Sequence, residues 1–214
     1  MRFQKRNKDR VNIYIDDQFA LGLAAIEAAR LHVGQELTDD DIARLKSKDE
    51  VELAYERALN FLSYRPRSEA EVRRNLRKKD VDDEAAELVV KRLTRAGLLD
   101  DWEFAHYWVD NRVRFNPRGK RALRHELRSK GISASIIADA LAGLDEEPIA
   151  RTAAEAGARR LARLEPREFR RKLKAYLARR GFSYEVIEPL VREMVEAMHC
   201  EDLSDIKSEG KHDE

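Results

Sequence analysis

This chain of 214 residues contains one cysteine, Cys200, so it has neither the pair that an internal disulfide needs nor the cysteines of a zinc site. No apolar run approaches the roughly 20 residues of a membrane-spanning helix. The basic start at residues 1–6 is not followed by the apolar stretch of a signal peptide. These absences predict a cytoplasmic protein without a membrane anchor.

Catalytic and ligand-binding motifs are equally scarce. The chain has no P-loop, no dinucleotide-binding glycine pattern and no recognisable nucleophile motif. Its five histidines do not stand at metal-ligand spacing with carboxylates or with the cysteine: they are His32, His106, His125, His199 and His212. We therefore expect no enzymatic activity, no cofactor and no metal.

Charged residues, in contrast, are abundant and segregated. They make up 39% of the chain, yet the net charge is only +1. Residues 37–56 and 201–214 are acidic, whereas the most basic stretches lie between these two segments. Local asymmetry of this kind bears on binding partners more directly than the net charge does.

One short pattern occurs three times, about 50 residues apart. Each copy is an amphipathic helix, a stop residue, one apolar residue and a helix N-cap. The copies are Val72-x3-Leu76-x3-Asp80-Val81-Asp82, Leu123-x3-Leu127-x3-Gly131-Ile132-Ser133 and Leu173-x3-Leu177-x3-Gly181-Phe182-Ser183. A period in this range indicates stacked helical units.

The sequence therefore predicts an all-α protein, an elongated, curved array of three tandem three-helix repeats with a small N-terminal β-hairpin. One three-helix unit of this size buries too little surface to be stable alone, so the units must stack. The expected boundaries are 1–46 for the hairpin and short helices, 47–98, 99–146 and 147–199 for the repeats, and 200–214 for an acidic disordered tail.

Local signals place several elements within this plan. Alternating residues at 11–15 and 18–23 flank Asp16-Asp17 and predict the hairpin. Thr38 is the expected N-cap of a short helix that ends near Leu45, and a separate helix is expected over 49–64. Ser68 and Glu71 have the spacing of a capping box, and Pro189 should kink the last helix.

Two stretches resemble a known family. The first is Ala58-Leu59-Asn60-Phe61-Leu62-Ser63-Tyr64-Arg65-Pro66-Arg67-Ser68 followed by Glu71-Val72 and Leu76. The second is Leu99-Asp100-Asp101, Phe104-Ala105, Val109-Asp110-Asn111-Arg112, Pro117-Arg118-Gly119 and Glu126-Leu127-Arg128-Ser129-Lys130-Gly131-Ile132. Together they resemble the RecX family of bacterial recombination regulators over about residues 50–141. Residues 8–16 resemble the hairpin of its longer members.

The resemblance implies a non-enzymatic modulator, mainly an inhibitor, of the RecA recombinase. Its partner would be the RecA nucleoprotein filament on single-stranded DNA. It would limit filament extension, ATP hydrolysis, strand exchange and the co-protease activity behind the SOS response, and so act in DNA repair and homologous recombination. Weak non-specific binding to single- or double-stranded DNA, no membrane binding and a monomeric state are further expectations.

The candidate binding residues lie on or just before the second helix of each repeat. Stacking would align these basic helices into a stripe that can neutralise phosphates or meet acidic patches on a recombinase. The alternative is an ordinary solvated face. The candidates are Arg67, Arg73, Arg74, Arg77, Lys78, Arg118, Arg121, Arg124, Arg128, Arg170, Arg171 and Lys174.

Two subsets of residues admit a structural interpretation. Arg67 and Arg118 recur in equivalent inter-helix turns, where they can equally well pack or pair with acidic neighbours. The aromatic residues of the second repeat, and Tyr64 and Phe115 at matching positions, are expected in the core rather than in base stacking, because they keep helical spacing.

Two rival functions stay open at this point. Three-helix units with a basic second helix superficially resemble helix-turn-helix DNA-binding modules, although that class usually reads bases with short polar side chains. Long, repeated arginines suit phosphates instead, and so allow non-specific DNA binding. The other rival is a helical adaptor that depends on neither DNA nor RecA.

Overall fold

The structure is a computed structural model that describes residues 1–4 and 8–209, with side chains described as far as residue 197. The chain divides into two compact units, Met1–Asp100 and Asp101–Glu214. The first unit contains a small sheet and one three-helix repeat, and the second contains two such repeats. Each unit is described by itself.

The first unit begins with three short strands and continues with four helices. The strands form an antiparallel sheet in the order β1-β2-β3, in which β1 pairs with β2 and β2 pairs with β3. The elements are β1 (Arg2–Phe3), β2 (Arg10–Ile15), β3 (Gln18–Ala24), α1 (Ala25–Ala28), α2 (Asp39–Leu62), α3 (Glu69–Arg77) and α4 (Asp83–Arg95).

Helix α2 connects the sheet to the first repeat. Its N-terminal half, through Ile42 and Leu45, packs on the apolar face of the sheet, and its C-terminal half contributes Ala54 and Ala58 to the core of α2, α3 and α4. Between these halves lies the buried carboxylate of Asp49, which accepts hydrogen bonds from the Ala24 amide (3.1 Å) and Arg10 Nη2 (2.6 Å). The paired carboxylate fixes the sheet on the helix.

The second unit contains six helices among its described residues. Their apolar faces form one cluster for each repeat, and Val113 and Leu144 pack against both clusters, so the core is continuous through the two repeats. The helices are α5 (Asp101–Phe115), α6 (Lys120–Ser129), α7 (Ala134–Ala142), α8 (Glu146–Leu161), α9 (Pro166–Arg179) and α10 (Tyr184–Glu209).

The stop residue of each repeat has a left-handed backbone. The φ angles are +56° at Asp80, +84° at Gly131 and +85° at Gly181. In each repeat the next amide donates back to the buried leucine five residues earlier, as from Val81 N to Leu76 O at 3.2 Å. This is the hydrogen bond of a Schellman motif, so the thrice-repeated pattern specifies the same helix end three times.

Glycine allows repeats 2 and 3 to approach closely at this helix end. The Gly119 amide, at the start of α6, donates to Arg180 O at 3.0 Å. A Cβ atom on Gly119 would lie 2.3 Å from the Gly181 carbonyl oxygen. The Arg180 guanidinium donates to Asn116 Oδ1 (3.1 Å) and Pro117 O (2.9 Å). The turn before α6 is therefore fixed against the end of α9.

The all-α class, the three-helix repeats and the N-terminal hairpin are confirmed, with the sheet enlarged by β1. The predicted capping box is present, because Ser68 Oγ accepts from the Glu71 amide at 3.2 Å and the Glu71 carboxylate accepts from the Ser68 amide. Pro189 lies inside α10.

Two predicted boundaries differ from the structure. The expected break between residues 45 and 49 is wrong, because α2 is continuous: that segment contains neither glycine nor proline, and both halves of the helix bury apolar residues. The disordered tail was expected over 200–214, whereas the backbone of α10 is helical to Glu209, just before Gly210. The remaining residues, 210–214, lie outside the described part of the chain.

Candidate functional site

The basic helices α3, α6 and α9 share one design. In each, two apolar residues four positions apart are fully buried, as are Leu123 and Leu127 of α6. A basic residue directly follows the first of them in every repeat: Arg73, Arg124 or Lys174. What distinguishes the three helices is whether the following helix supplies acids to neutralise these cations.

In repeat 1 the third helix neutralises two of the arginines. Arg73 Nη1 lies 2.5 Å from Glu87 Oε2, and this hydrogen bond lowers the pKa of Glu87. Arg77 Nη2 lies 3.1 Å from Asp83 Oδ1. The partners lie 14 and six residues beyond the respective arginines.

Repeat 3 neutralises its cations in a similar way. Glu188 of α10 contacts Lys174 Nζ and lies 2.9 Å from Arg170 Nη2. The hydrogen bond from Lys174, joined by those from Arg170 and Tyr184, lowers the pKa of Glu188 to about 2. Glu188 stays ionised at neutral pH and contacts both cations, so its single negative charge offsets one of their two positive charges.

Repeat 2 lacks these acids. The positions equivalent to Asp83 and Glu87 are occupied by Ala134 and Ala138, six residues beyond Arg128 and 14 beyond Arg124. Both arginines are exposed, and neither forms an ion pair among the described side chains. The one acid of α7 is Asp139, which accepts a hydrogen bond from Trp102 Nε1 at 2.7 Å. Helix α6 therefore presents two uncompensated positive charges.

Most of the other predicted residues have structural contacts. Arg121 Nη2 donates to Ala178 O at 2.8 Å, at the C-terminal end of α9. Arg118 Nε lies 3.7 Å from Glu126 Oε1. Arg74 Nε donates to Ala70 O at 3.1 Å, and Arg171 lies 3.7 Å from Glu168. Lys78 is exposed at the end of α3 and, in the described part of the chain, has no acidic partner.

Arg67 lies against the first repeat rather than on an outward face. Its guanidinium carbon lies 4.0 Å from the ring centroid of Phe61. Burial, followed by the nearby charge of Arg65, lowers the pKa of Arg67. This contact supports the packing interpretation of the turn arginine, since a cation over an aromatic face is a stabilising arrangement.

Sequence comparisons cover nearly all of this architecture. Four family domain profiles match: the RecX N-terminal domain at residues 1–38 and the first, second and third RecX three-helix domains at 54–93, 100–141 and 145–191. The regulatory protein RecX of Bacillus subtilis is 36% identical over 189 residues, which are 86% of this chain and 72% of that protein. The chain belongs to the RecX family.

Other RecX proteins extend the likeness. The regulatory protein RecX of Lactobacillus johnsonii is 31% identical over 97% of this chain and 78% of its own length. A crystal structure of regulatory protein RecX superposes with a TM-score of 0.71 at 31% identity, covering 92% of this chain and 96% of that one. RecX from Lactobacillus salivarius gives a TM-score of 0.60 at 29% identity, covering 68% and 97%.

The aromatic residues of this RecX-family chain are divided between core and surface. Phe104 is buried and Trp108 is half-buried, as expected. The expected core packing is wrong for Trp102 and Tyr107, which are 50% and 43% exposed, and for Tyr64 and Phe115, which are 84% and 79% exposed. Tyr64 and Phe115 stand where a helix ends just before the turn, so helical spacing no longer determines which way their side chains face.

Membrane-spanning helices and metal sites are both absent from the described residues of this RecX-family chain. No described helix is long and apolar enough to cross a membrane. Over the same residues, no group of three or more histidine, cysteine or carboxylate side chains could hold a metal ion. Arg124 and Arg128 of α6 differ from Arg73 and Arg77 at the equivalent positions of repeat 1 in having no acid to pair with among the described side chains.

Proposed function

We propose that this RecX-family chain is a non-enzymatic regulator of the RecA recombinase. It binds RecA filaments on single-stranded DNA and limits filament extension, ATP hydrolysis, strand exchange and SOS co-protease activity. Membership of a family whose curated members are named regulatory proteins supports this assignment. The exposed basic residues among the twelve predicted from the sequence are the proposed contacts, whereas Arg67 packs on Phe61 and is left out.

Helix α6 carries the largest share of the proposed contact. Arg124 and Arg128 have the same positions in their repeat as Arg73 and Arg77, yet alanines replace the acids that compensate the latter pair. An exposed cation without an internal partner gains the most from an external anion, because it gives up no ion pair when it binds. Arg121 helps to hold α6 against α9 and so orients this surface.

The proposed mechanism follows from the recurrence of the basic helix in successive repeats. Contacts from more than one repeat would span neighbouring subunits of the filament, and would hinder either the addition of a subunit or the change coupled to ATP hydrolysis. The paired cations of α3 and α9 would add weaker contacts, because each must first separate from its acid. Lys78, which has no acidic partner in the described part of the chain, would add a contact without that cost.

The first experiment titrates this protein into a reaction in which the cognate RecA hydrolyses ATP on single-stranded DNA. Inhibition at well below one protein per RecA monomer is expected. Addition before or after filament assembly then distinguishes capping of filament ends from disassembly. Absence of inhibition by the folded, helical protein would overturn the proposed function.

Matched double variants test the assignment to α6. Arg124→Gln with Arg128→Gln should weaken inhibition and its salt dependence more than Arg73→Gln with Arg77→Gln. Both variants remove two charges at equivalent positions, but only the second pair is internally compensated. Equal effects of the two variants would contradict the special role of α6.

A second candidate function is non-specific DNA binding without RecA regulation. The observation that favours it is the same pair of long, uncompensated arginines, since this kind of side chain neutralises phosphates. Tight binding to bare duplex DNA at physiological salt, together with unchanged RecA activity, would select it. A protein that binds neither DNA nor filaments would be a helical adaptor.

A further inference from the structure

Two large aromatic side chains project into solvent from the same position of successive repeats. Tyr64 is 84% exposed and Phe115 is 79% exposed, and each is followed after one residue by the proline of the inter-helix turn. Single exposed apolar residues are common on protein surfaces. The same exposed aromatic at an equivalent position, twice, requires a shared explanation.

The chain around each ring is free of acidic residues and rich in arginine. Residues 111–125 contain no Asp or Glu and six Arg or Lys, and residues 57–68 contain no Asp or Glu and three Arg. Arg114, next to Phe115, is exposed and forms no ion pair with any described side chain. The unpaired positive charge lies beside Phe115, whereas Arg65, next to Tyr64, pairs with Glu71 at 2.9 Å.

The chain neighbours of each ring are polar or charged rather than apolar. Phe115 lies between Arg114 and Asn116, and Tyr64 lies between Ser63 and Arg65. A hydrophobic anchor for another protein is normally surrounded by further apolar surface. An isolated aromatic face beside positive charge is instead the arrangement that stacks a nucleic-acid base while cations hold its phosphates.

The third repeat lacks the exposed ring. At the equivalent position it has Leu164, which is half-buried and packs on the core of α8, α9 and α10. The next residue is Glu165, although residues 159–167 also contain four arginines. Repeat 3 therefore differs in lacking the exposed ring rather than in lacking positive charge.

We infer that Tyr64 and Phe115 each stack a base of a single-stranded nucleic acid. Stacking selects single strands, because the base faces in a duplex are already covered by their neighbours. The inference rests on the proposed function only in identifying the single strand as the DNA on which RecA assembles. It adds a direct contact with bases to the phosphate contacts of α6.

The test compares two fluorescent oligomers of equal length, oligo(dT) and its fully abasic counterpart, by anisotropy in the absence of RecA. Tyr64→Ala and Phe115→Ala should each lower affinity for oligo(dT) by about 5- to 150-fold, and leave binding to the abasic oligomer and the salt slope unchanged. Tyr64→Trp and Phe115→Trp should retain binding. Tyr107→Ala is the matched control, since Tyr107 is 43% exposed on α5 but has the acids Glu103 and Asp110 within four residues along the helix.

Three outcomes would overturn the inference. They are unchanged oligo(dT) affinity in both alanine variants, an equal loss on the two oligomers, or a loss of RecA inhibition without any loss of DNA affinity. The last would identify the rings as protein anchors and leave the proposed function standing. Conversely, base-dependent binding by a wild-type protein that does not inhibit RecA would support the stacking sites and refute the regulatory function.

Discussion

Placing acids in repeat 2 at the positions where repeat 1 has them should weaken anion binding by α6 without changing its arginines. The perturbation is Ala134→Asp with Ala138→Glu, which copies Asp83 and Glu87 of repeat 1 into equivalent positions. In repeat 1, Asp83 lies 3.1 Å from Arg77, and Glu87 lies 2.5 Å from Arg73. The new carboxylates should therefore pair with Arg128 and Arg124.

The expected magnitude follows from two lost external contacts. An ion pair at 4 Å is worth about 1 kcal/mol in bulk water, so two contacts amount to ~2 kcal/mol, or roughly 30-fold in affinity at low salt. Each phosphate contact with a single strand contributes about 0.7 to the slope of log K against log salt, so the slope should fall by ~1.4. Exposed ion pairs add only about 0–1 kcal/mol to folding, so stability should hardly change.

The assay is anisotropy with labelled oligo(dT) over a salt series, followed by RecA ATP hydrolysis with the same proteins. Ser135→Glu is the control, because it adds a negative charge to α7 where repeats 1 and 3 carry Glu84 and Glu185. Neither glutamate pairs with a basic residue of α3 or α9 among the described contacts. The control should retain nearly all of the binding and inhibition.

The reasoning would be refuted if the double variant bound and inhibited like the wild type. It would also be refuted if Ser135→Glu caused an equal loss, because net charge rather than pairing with Arg124 and Arg128 would then be responsible. Unchanged helical content and midpoint of thermal unfolding must accompany the result, so that lost binding reflects the surface.

Two further predictions concern stability. Gly119→Ala should destabilise the second unit by about 1–3 kcal/mol, because its Cβ would lie 2.3 Å from a carbonyl oxygen; urea unfolding measures this, and Gly143→Ala, with open space around it, should be nearly neutral. Equal midpoints for the two variants would refute the close approach. Pairing with Lys174 lowers the pKa of Glu188 from 4.5 to about 2. The ionised carboxylate therefore stabilises the fold at a pH above about 4.5, and this stabilisation is lost as the pH falls towards 2. Thermal unfolding from pH 6 to 2 should therefore separate wild type from Glu188→Gln most at the upper end; a constant separation would contradict the pairing.

The sequence by itself determined the repeated helix end and hence the number of repeats. The helices end at Asp80, Gly131 and Gly181 because the amide of the following apolar residue donates back to the buried leucine. This requirement is local, so it is visible in the residue spacing. The Ser68 capping box is equally local. The length of α2 was missed, since apolar contacts on both sides of residues 45–49 hold together two segments that separately appear short.

For the candidate site, the sequence identified the basic helices but could not show which of their residues pair with an acid. Its twelve arginines and lysines appear equivalent until α4, α7 and α10 are packed beside α3, α6 and α9. Only then does Glu188 meet Lys174, while Arg124 faces the segment that has Ala138 in place of an acid. Aligning the third helices of the repeats is the signal that could have found this difference.

Whether Tyr64 and Phe115 are exposed was likewise decided by the tertiary structure. Tyr64 and Phe115 keep the spacing of core residues, but they stand where their helices end and the chain turns away, so the direction of each ring depends on the packing of the next helix. Local spacing fixed the helices, their ends and their charges because those depend on residues within one or two turns. The fold decided which charges are compensated and which rings are exposed, because both depend on side chains brought together from distant parts of the chain.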